Sequence, residues 1–165
     1  MKAHIGVDAQ SGLVHTVTGT PANVADIAQA HELLHGEEKA GYADAGYLGV
    51  EKREEIVSQC PGVEWHVAVK RGKIKAMTEG AIKELTQQLE RLKAQVRARV
   101  EHPFHVVKNL FRHRKARYRR GGGGESWGLV GGRAGLAKNT AQLHSLFALA
   151  NLVIARRSLL TTVGA

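Results

Sequence analysis

The chain has 165 residues, of which 43% are hydrophobic and 24% charged, a balance typical of one globular domain with a hydrophobic core and one that excludes wholesale disorder. Its single cysteine, Cys60, excludes a disulfide framework and a cysteine-based zinc site, which favours a reducing cytoplasm. The net charge of +9 indicates a polyanionic partner, and no apolar run approaches the roughly 20 residues that a membrane span needs. We therefore expect a soluble cytoplasmic protein with no membrane partner.

The first two predicted elements form a hairpin. The segments KAHIGVD and LVHTVTGT alternate in strand fashion on either side of the turn AQSG. Asn23 is then predicted as the N-cap of a helix, because Val24, Ile27, His31 and Leu34 follow at helical spacing.

The middle of the chain alternates strands and helices. AGYAD predicts a short strand, KREEIVSQ a short helix and VEWHVAV another strand. From about Thr78 a long amphipathic helix is predicted by apolar residues at steps of three and four, which are Ile82, Leu85, Leu89, Leu92 and Val96. This stripe favours a packing helix or a coiled-coil arm. Pro103 predicts either a kink near Glu101 or the start of a new helix.

The end of the chain is predicted as a glycine-rich loop followed by one helix. The loop lacks the Lys and Ser or Thr of a phosphate-binding P-loop, which favours a flexible linker. The final helix is predicted to begin at Asn139 or Thr140. The order of elements predicts an α/β fold with a mixed sheet, and we assign residues 1–118 to the core, 119–135 to the loop or an insertion, and 136–165 to the C-terminal helix.

The positive charge lies in the second half of the chain. Residues 1–90 hold nine basic and thirteen acidic residues, whereas residues 91–165 hold fifteen basic and two acidic ones. The run from Arg91 to Arg120 contains eleven basic residues and a single acid, Glu101. Such a run is typical of a DNA-binding surface, although a solvated basic face fits it equally well.

Two carboxylates are candidate metal ligands. Asp44 follows a predicted strand among small residues, where an aspartate is most often a turn or cap residue. Glu101 lies four residues after Arg97 and seven before Lys108, and on a continuous helix these three side chains fall within about 40° of one stripe. A carboxylate between two cations suits a metal beside phosphates, but an Arg–Glu helix pair explains part of the same spacing.

Six segments occur in the order KAHIGVDAQSGLVHTV, NVADIAQAHELLHGEEK, YADAGYLGVEKR, WHVAVKRGK, VEHPFHVVKNLF and GLAKNTAQLHSLFALANL. Together they resemble bacterial insertion-sequence DDE transposases, specifically the insertion-sequence-five group, over nearly the whole chain apart from the glycine-rich loop. The resemblance implies a ribonuclease-H-like fold and an Asp, Asp, Glu triad that uses Mg²⁺, with Mn²⁺ as an alternative. It implies that water cleaves DNA at the terminal inverted repeats and that the freed 3′-hydroxyl attacks target DNA.

The resemblance also implies roles for individual residues. Asp44 corresponds to the second triad acid and Glu101 to the third, so both are candidate catalytic and metal-binding residues. Arg97, Glu101 and Lys108 match the last three residues of the group's Y-R-E-K signature. The candidate DNA-binding residues are Arg97, Lys108, Arg112, Lys115 and Arg117.

Three features depart from the group's pattern. Ala94 stands where the signature has its Tyr, and the glycine-rich loop is longer than the group's usual junction. The first triad Asp belongs to a strand that this sequence does not match, and Asp8 is instead predicted as a turn residue. We therefore expect a sheet that is incomplete at the N-terminus.

The sequence leaves two hypotheses for function. The first is the C-terminal part of a transposase catalytic domain, which by itself is inactive. The second is a non-catalytic basic fragment that binds DNA and modulates the full-length transposase. Homo-oligomers and full-length transposase are the expected protein partners, and an association with the nucleoid follows from DNA binding.

Overall fold

The computed structural model describes residues 1–114 and 130–163. The chain forms two compact units, and each has its own core. The hairpin unit comprises residues 1–24 and 100–165, and the central unit comprises residues 25–99. Residues 119–129 of the predicted glycine-rich loop lie outside the described part of the chain, and the predicted boundary at 118 stays a prediction.

The hairpin unit begins with strands β1 (Lys2–Val7) and β2 (Val14–Thr20), which pair antiparallel as predicted. Their register places Ile5 opposite Val17, with an irregularity between Gly6 and Val7. Asp8 holds the turn, because its Oδ1 accepts hydrogen bonds from the backbone N–H groups of Gln10 at 3.2 Å and Ser11 at 2.6 Å. The prediction that Asp8 is a turn residue is therefore confirmed.

Helix α4 (Val130–Val163) packs against β2. Its Asn151 side chain accepts a hydrogen bond from the Val14 N–H at 2.8 Å and donates one to the Val14 carbonyl at 2.7 Å. One amide thus satisfies both backbone groups at the end of the strand. Phe147, which is 1% exposed, lies at the centre of this core and meets Phe104 edge to face at 5.4 Å.

The predicted start of the last helix is wrong. Helix α4 begins at Val130 rather than at a cap formed by Asn139 or Thr140. Asn139 lies inside the helix, where its amide donates to the Gly135 carbonyl at 2.9 Å. Residues 130–135, which the sequence assigned to the loop, are helical.

The central unit contains the parallel strands β3 (Ala40–Ala43) and β4 (Glu64–Val67), joined by a crossover that includes helix α1 (Glu54–Gln59). Its core is built on Ala30, Val50 and Ile56. Trp65 packs against this core and also lies so close to β3 that a Cβ at Gly41 would come within 2.9 Å of the ring. Gly41 is therefore needed for the approach of strand and indole.

The helix predicted from Asn23 does not form. Val24 donates to the Pro21 carbonyl, so Asn23 lies within a turn and Ala25 takes the cap position. Two 3₁₀ helices follow, at Asp26–Gln29 and His31–Leu33. Ile27 and Leu34 still pack on the central core. Their spacing therefore indicates that these side chains face the core, but it does not indicate an α-helix.

The prediction of a mixed α/β class is confirmed, but that of one mixed sheet is wrong for the described residues. The four strands form two separate two-stranded sheets, one antiparallel and one parallel. The physical reason is local. Strands β1 and β2 are joined by a tight turn and pair their backbone hydrogen-bonding groups with each other, whereas β3 and β4 are joined by a helical crossover and pair in parallel. The ribonuclease-H-like topology and the missing first strand stay predictions.

Two helices complete the described chain: α2 (Arg71–Lys75) and α3 (Ala81–His105). Of the two predictions for Pro103, the start of a new helix is wrong, because α3 runs through this buried proline, whereas a kink near Glu101 stays a prediction. A π-helical turn follows at Val106–Leu110 and ends in a Phe111 N–H donating to the Val106 carbonyl at 3.0 Å. Proline removes one helical hydrogen bond, and π turns are frequent near functional sites.

Candidate functional site

Asp44 lies directly after β3, at the carboxyl end of a parallel strand. It is the N-cap of a 3₁₀ helix at Ala45–Tyr47, and its Oδ1 accepts a hydrogen bond from the Gly46 N–H at 2.7 Å. The capping role that the sequence allowed is thus observed. Its side chain is exposed, and Oδ2 receives no hydrogen bond from a described residue.

Gly46 fixes the position of the Asp44 carboxylate. A Cβ at residue 46 would lie 2.9 Å from Oδ1 of Asp44, closer than such contacts normally come. A side chain at residue 46 would therefore force the Asp44 carboxylate to shift from this pose. The sequence shows that small residues surround Asp44, but it does not show that residue 46 lies against the Asp44 carboxylate.

Tyr47 is a second neighbour of Asp44 that sequence reasoning missed. Burial, followed by the nearby carboxylates of Asp26 and then Asp44, raises the pKa of Tyr47 to about 12. The phenol is therefore neutral at physiological pH, and two carboxylates lie near it in the central unit. The signal that could have found Tyr47 is its place three residues after Asp44 in the same segment.

Glu101 lies on α3, in the part of that helix that belongs to the hairpin unit. It is exposed, and no described residue forms an ion pair with it. The simple alternative for its spacing, an ion pair with Arg97 one turn earlier, is thus not formed. An exposed carboxylate without a protein partner is free to accept a cation.

Arg97 and Lys108 differ in their surroundings. The Nε atom of Arg97 is buried and has no hydrogen-bond partner among the described residues. The Lys108 ammonium lies 5.1 Å from the centre of the Phe104 ring, in a cation–π contact within the hairpin unit. Lys108 follows the start of the π turn, so the single helical stripe expected for Arg97, Glu101 and Lys108 does not continue in α-helical geometry.

Arg112 has an unusual backbone conformation. Its φ is +56°, in the left-handed region that favours glycine, and its side chain is exposed. The His113 N–H donates to the Val107 carbonyl at 3.0 Å, which closes the helix end around this residue. The other two predicted DNA-binding residues, Lys115 and Arg117, lie outside the described residues.

The structure describes the two candidate acids in separate units. Asp44 belongs to the central unit and Glu101 to the hairpin unit. Their roles as a pair of metal ligands therefore stay predictions, as do the roles of the basic residues.

The described chain is a mixed α/β protein, and its exposed carboxylates Asp44 and Glu101 are candidate sites for a cation. A family model described as transposase DDE domain matches residues 1–125, and the chain therefore belongs to this family. Membership indicates a function in DNA transposition and a DNA substrate. No solved structure matches the chain. None of the helices in the described ranges has the length and apolar character that crossing a membrane requires.

Proposed function

We propose that the chain is part of a transposase of the insertion-sequence-five group and contributes to metal-dependent DNA strand cleavage and strand transfer at the ends of an insertion sequence. Membership of the transposase DDE domain family supports this proposal. The order of six matching segments supports the group and the C-terminal placement within a ribonuclease-H-like catalytic domain.

The observation that carries the proposal is the setting of Asp44. One carboxylate oxygen is fixed by the Gly46 N–H at 2.7 Å, while the other accepts no hydrogen bond from a described residue. A carboxylate held in this way loses little freedom when it binds a ligand, because its rotamer is already set. Its place at the carboxyl end of a parallel strand is where α/β folds commonly place functional groups.

The residues present fit Mg²⁺ or Mn²⁺ by the chemistry of their donors. Asp44 and Glu101 offer carboxylate oxygens, which these hard cations prefer, and both side chains are exposed. Such a metal would stabilise the charge that develops on the attacking and leaving oxygens of a phosphodiester. We assign both carboxylates as ligands, with Gly46 as the residue that positions Asp44.

The basic residues would bind the DNA backbone. Arg97 and Lys108 lie before and after Glu101 in the chain, and we assign them to phosphates of the terminal repeats or target DNA, together with Arg112, Lys115 and Arg117. Binding to DNA would also bring the protein to the nucleoid. The group's first triad acid has no counterpart among the matched segments, so we propose that this chain is not sufficient for strand transfer and acts with a full-length transposase.

Paramagnetic broadening by Mn²⁺ tests the metal assignment. In NMR spectra of the chain, Mn²⁺ is expected to broaden the amide signals around Asp44 and Glu101, and Asp44→Asn or Glu101→Gln should each remove the broadening near the altered residue. Asp8→Asn is the matched control, because Asp8 is an exposed carboxylate whose hydrogen bonds hold a turn. Broadening that persists in both Asp44→Asn and Glu101→Gln would refute the assignment.

Activity tests the second part of the proposal. With Mg²⁺ and DNA that carries the ends of the element, the chain alone is expected neither to nick nor to join DNA. Strand transfer by the purified chain would show that it is sufficient and would overturn this part.

The alternative function is that of a non-catalytic DNA-binding fragment that modulates the full-length transposase. The concentration of positive charge in residues 91–165 favours it. It predicts largely sequence-independent DNA binding that weakens steeply with salt and survives Asp44→Ala and Glu101→Ala. Binding that depends little on salt would contradict it.

A further inference from the structure

Four basic residues follow β4 within a few positions. They form what we call the α2 basic cluster, whose members are Lys70, Arg71, Lys73 and Lys75. The cluster covers helix α2 and the residue at its N-cap, and all four side chains are exposed. The sequence has no acidic residue between Glu64 and Glu79. The α2 basic cluster is therefore a local concentration of positive charge on the surface of the central unit.

The charges of the α2 basic cluster are not neutralised by other described residues. None of its side chains forms an ion pair or a hydrogen bond within the described ranges. Other basic residues of the central unit are paired, such as Arg53 with Glu55 at 3.1 Å and Lys93 with Glu90 at 3.0 Å. The four charges of the cluster lie along about 8 Å of helix axis, which is comparable to the Debye length at physiological salt, so their potentials add.

The α2 basic cluster begins at the same edge of the parallel sheet as Asp44. Strands β3 and β4 pair with Ala43 opposite Val67, and the Ala68 N–H donates to the Ala43 carbonyl at 3.0 Å. Asp44 is the residue after Ala43, and Lys70 follows Ala68 by two residues, a chain length of at most about 8 Å. The candidate metal ligand and the cluster therefore both follow the carboxyl ends of paired strands.

The backbone that leads into the α2 basic cluster is held in place. Glu90 of α3 accepts a hydrogen bond from the Val69 N–H at 3.1 Å. At the start of α2, the Lys73 N–H donates to the Lys70 carbonyl at 2.9 Å. A ligand of the cluster therefore needs to order the side chains but not this backbone, which lowers the entropic cost of binding.

The surroundings of Asp44 are otherwise acidic. Residues 25–69 hold nine acidic and three basic residues, so this part of the central unit repels the phosphates of DNA. A cation bound at Asp44 would offset the repulsion at one phosphodiester. The α2 basic cluster offsets it along the neighbouring backbone, because its four unpaired charges begin at the same edge of the sheet.

We propose that the α2 basic cluster binds the phosphate backbone of DNA at the edge of the sheet that carries Asp44. A DNA strand has one phosphate per about 3.4 Å of duplex axis, so the cluster spans about two or three phosphates. This surface lies in the central unit, outside the basic run from Arg91 to Arg120 that the sequence indicated. The proposal rests on the proposed function in taking DNA as the partner, but it does not require a metal at Asp44.

The salt dependence of DNA binding tests the surface. The full chain is titrated with a short duplex of arbitrary sequence at several salt concentrations, without divalent metal. The double variant Lys73→Gln with Lys75→Gln should lower the slope of log K against log salt by about two units, because each phosphate contact contributes about 0.9.

The matched control removes the same charge elsewhere in the central unit. Lys39→Gln with Lys52→Gln alters two exposed lysines, and Lys39 precedes β3 at the opposite edge of the sheet, where its carbonyl accepts the Glu64 N–H at 2.9 Å. This variant should leave the slope nearly unchanged. Equal slopes for the two double variants would overturn the α2 basic cluster as a DNA surface while leaving DNA binding intact. A chain that binds no DNA would refute both this proposal and the proposed function.

Cleavage of bound DNA tests the position of the surface. In a Cys60→Ser background, which removes the single native thiol, an iron chelate attached at Lys73→Cys should cut the backbone of bound duplex through hydroxyl radicals. The same chelate at Lys39→Cys, on the opposite edge of the sheet, should cut it much less. Equal or stronger cleavage from residue 39 would overturn the placement of DNA at the carboxyl edge.

Discussion

The two units of the chain differ in how their long helices are held. In the hairpin unit, α4 buries Phe147 and Ala150 and is also tied to β2 through the Asn151 amide. In the central unit, α3 is held by Glu90 and Lys93, and its apolar side is exposed. The comparison teaches that a periodic apolar stripe indicates a helix but not which side faces the helix's own core.

The largest expected effect is from truncation of the hairpin core. Phe147→Ala removes a side chain that is almost fully buried and leaves a cavity, so it should lower the free energy of unfolding by about 3–5 kcal/mol. Urea denaturation measures the loss, and hydrogen exchange locates it. Leu152→Ala, on an exposed part of the same helix, should change stability by less than about 0.5 kcal/mol. Equal losses for the two variants would contradict the described core.

A smaller loss is expected in the central unit. Ile56→Ala should cost about 2–4 kcal/mol, because Ile56 is buried beside Val50 and Ala30 in a smaller core. Its neighbour Val57 is exposed, so Val57→Ala is a matched control with little expected effect. Hydrogen exchange should show faster exchange in residues 25–99 for Ile56→Ala. Faster exchange confined to residues 1–24 would break the assignment of two separate cores.

The polar tie between α4 and β2 should contribute less than either core. Asn151→Ala removes two hydrogen bonds and leaves the Val14 N–H and carbonyl unpaired, so a loss of about 2 kcal/mol is expected. Asn151→Asp keeps an acceptor for the Val14 N–H but has no donor for the carbonyl. Thermal or urea unfolding should therefore place it between the unaltered chain and Asn151→Ala. A greater loss for Asp than for Ala would show that charge, rather than the missing donor, dominates.

Much of the fold could be predicted because local patterns decide it. The β1–β2 hairpin and strands β3 and β4 follow from alternation and turn residues, and α3 follows from its apolar spacing. The two 3₁₀ helices after Ala25 could not be predicted, because the partly buried Ile27 and Leu34 fit an α-helical spacing equally well. The division into two sheets could not be predicted, because periodicity identifies strands but not which strands pair with each other.

The position of Asp44 at the end of a strand was predictable from the sequence, but the contacts that support its side chain were not. The place of Asp44 at a strand end is confirmed, while the requirement for Gly46 and the proximity of Tyr47 emerge only from three-dimensional geometry. The roles of Asp44 and Glu101 as metal ligands stay predictions. The sequence could not reveal the left-handed backbone of Arg112 either, because glycine rather than arginine is the usual signal for it.

Arg112 offers a test that separates stability from function. Because its φ is +56°, Arg112→Gly should relieve backbone strain and raise the stability of the hairpin unit by up to about 1 kcal/mol. If Arg112 contacts a DNA phosphate, the same variant should bind DNA more weakly, with a salt dependence that is lower by about one unit of slope. Arg114→Gly is the control, since Arg114 has no positive φ and glycine there should not stabilise the chain. A stabilised variant with unchanged DNA binding would remove Arg112 from the proposed DNA surface.

The smallest expected effect concerns the turn of the hairpin and depends on pH. Hydrogen bonds from the Ser11 hydroxyl and backbone N–H lower the pKa of Asp8 below its ordinary value. A carboxylate whose pKa is lowered by folding stabilises the folded chain above its unfolded pKa of about 3.9, and this contribution is lost as the pH falls through the folded pKa.

Asp8 is exposed, so solvent reduces the effect, and Asp8→Ala should cost less than about 1 kcal/mol at pH 7. Urea denaturation at neutral and acidic pH should show the difference shrinking in acid. Asp8→Asn, which keeps an acceptor without charge, should show a smaller difference at neutral pH that shrinks in acid by a similar amount, because the titrating group belongs to the unaltered chain. A cost for Asp8→Ala that grows in acid would mean that the Asp8 carboxylate does not stabilise the turn through its charged form.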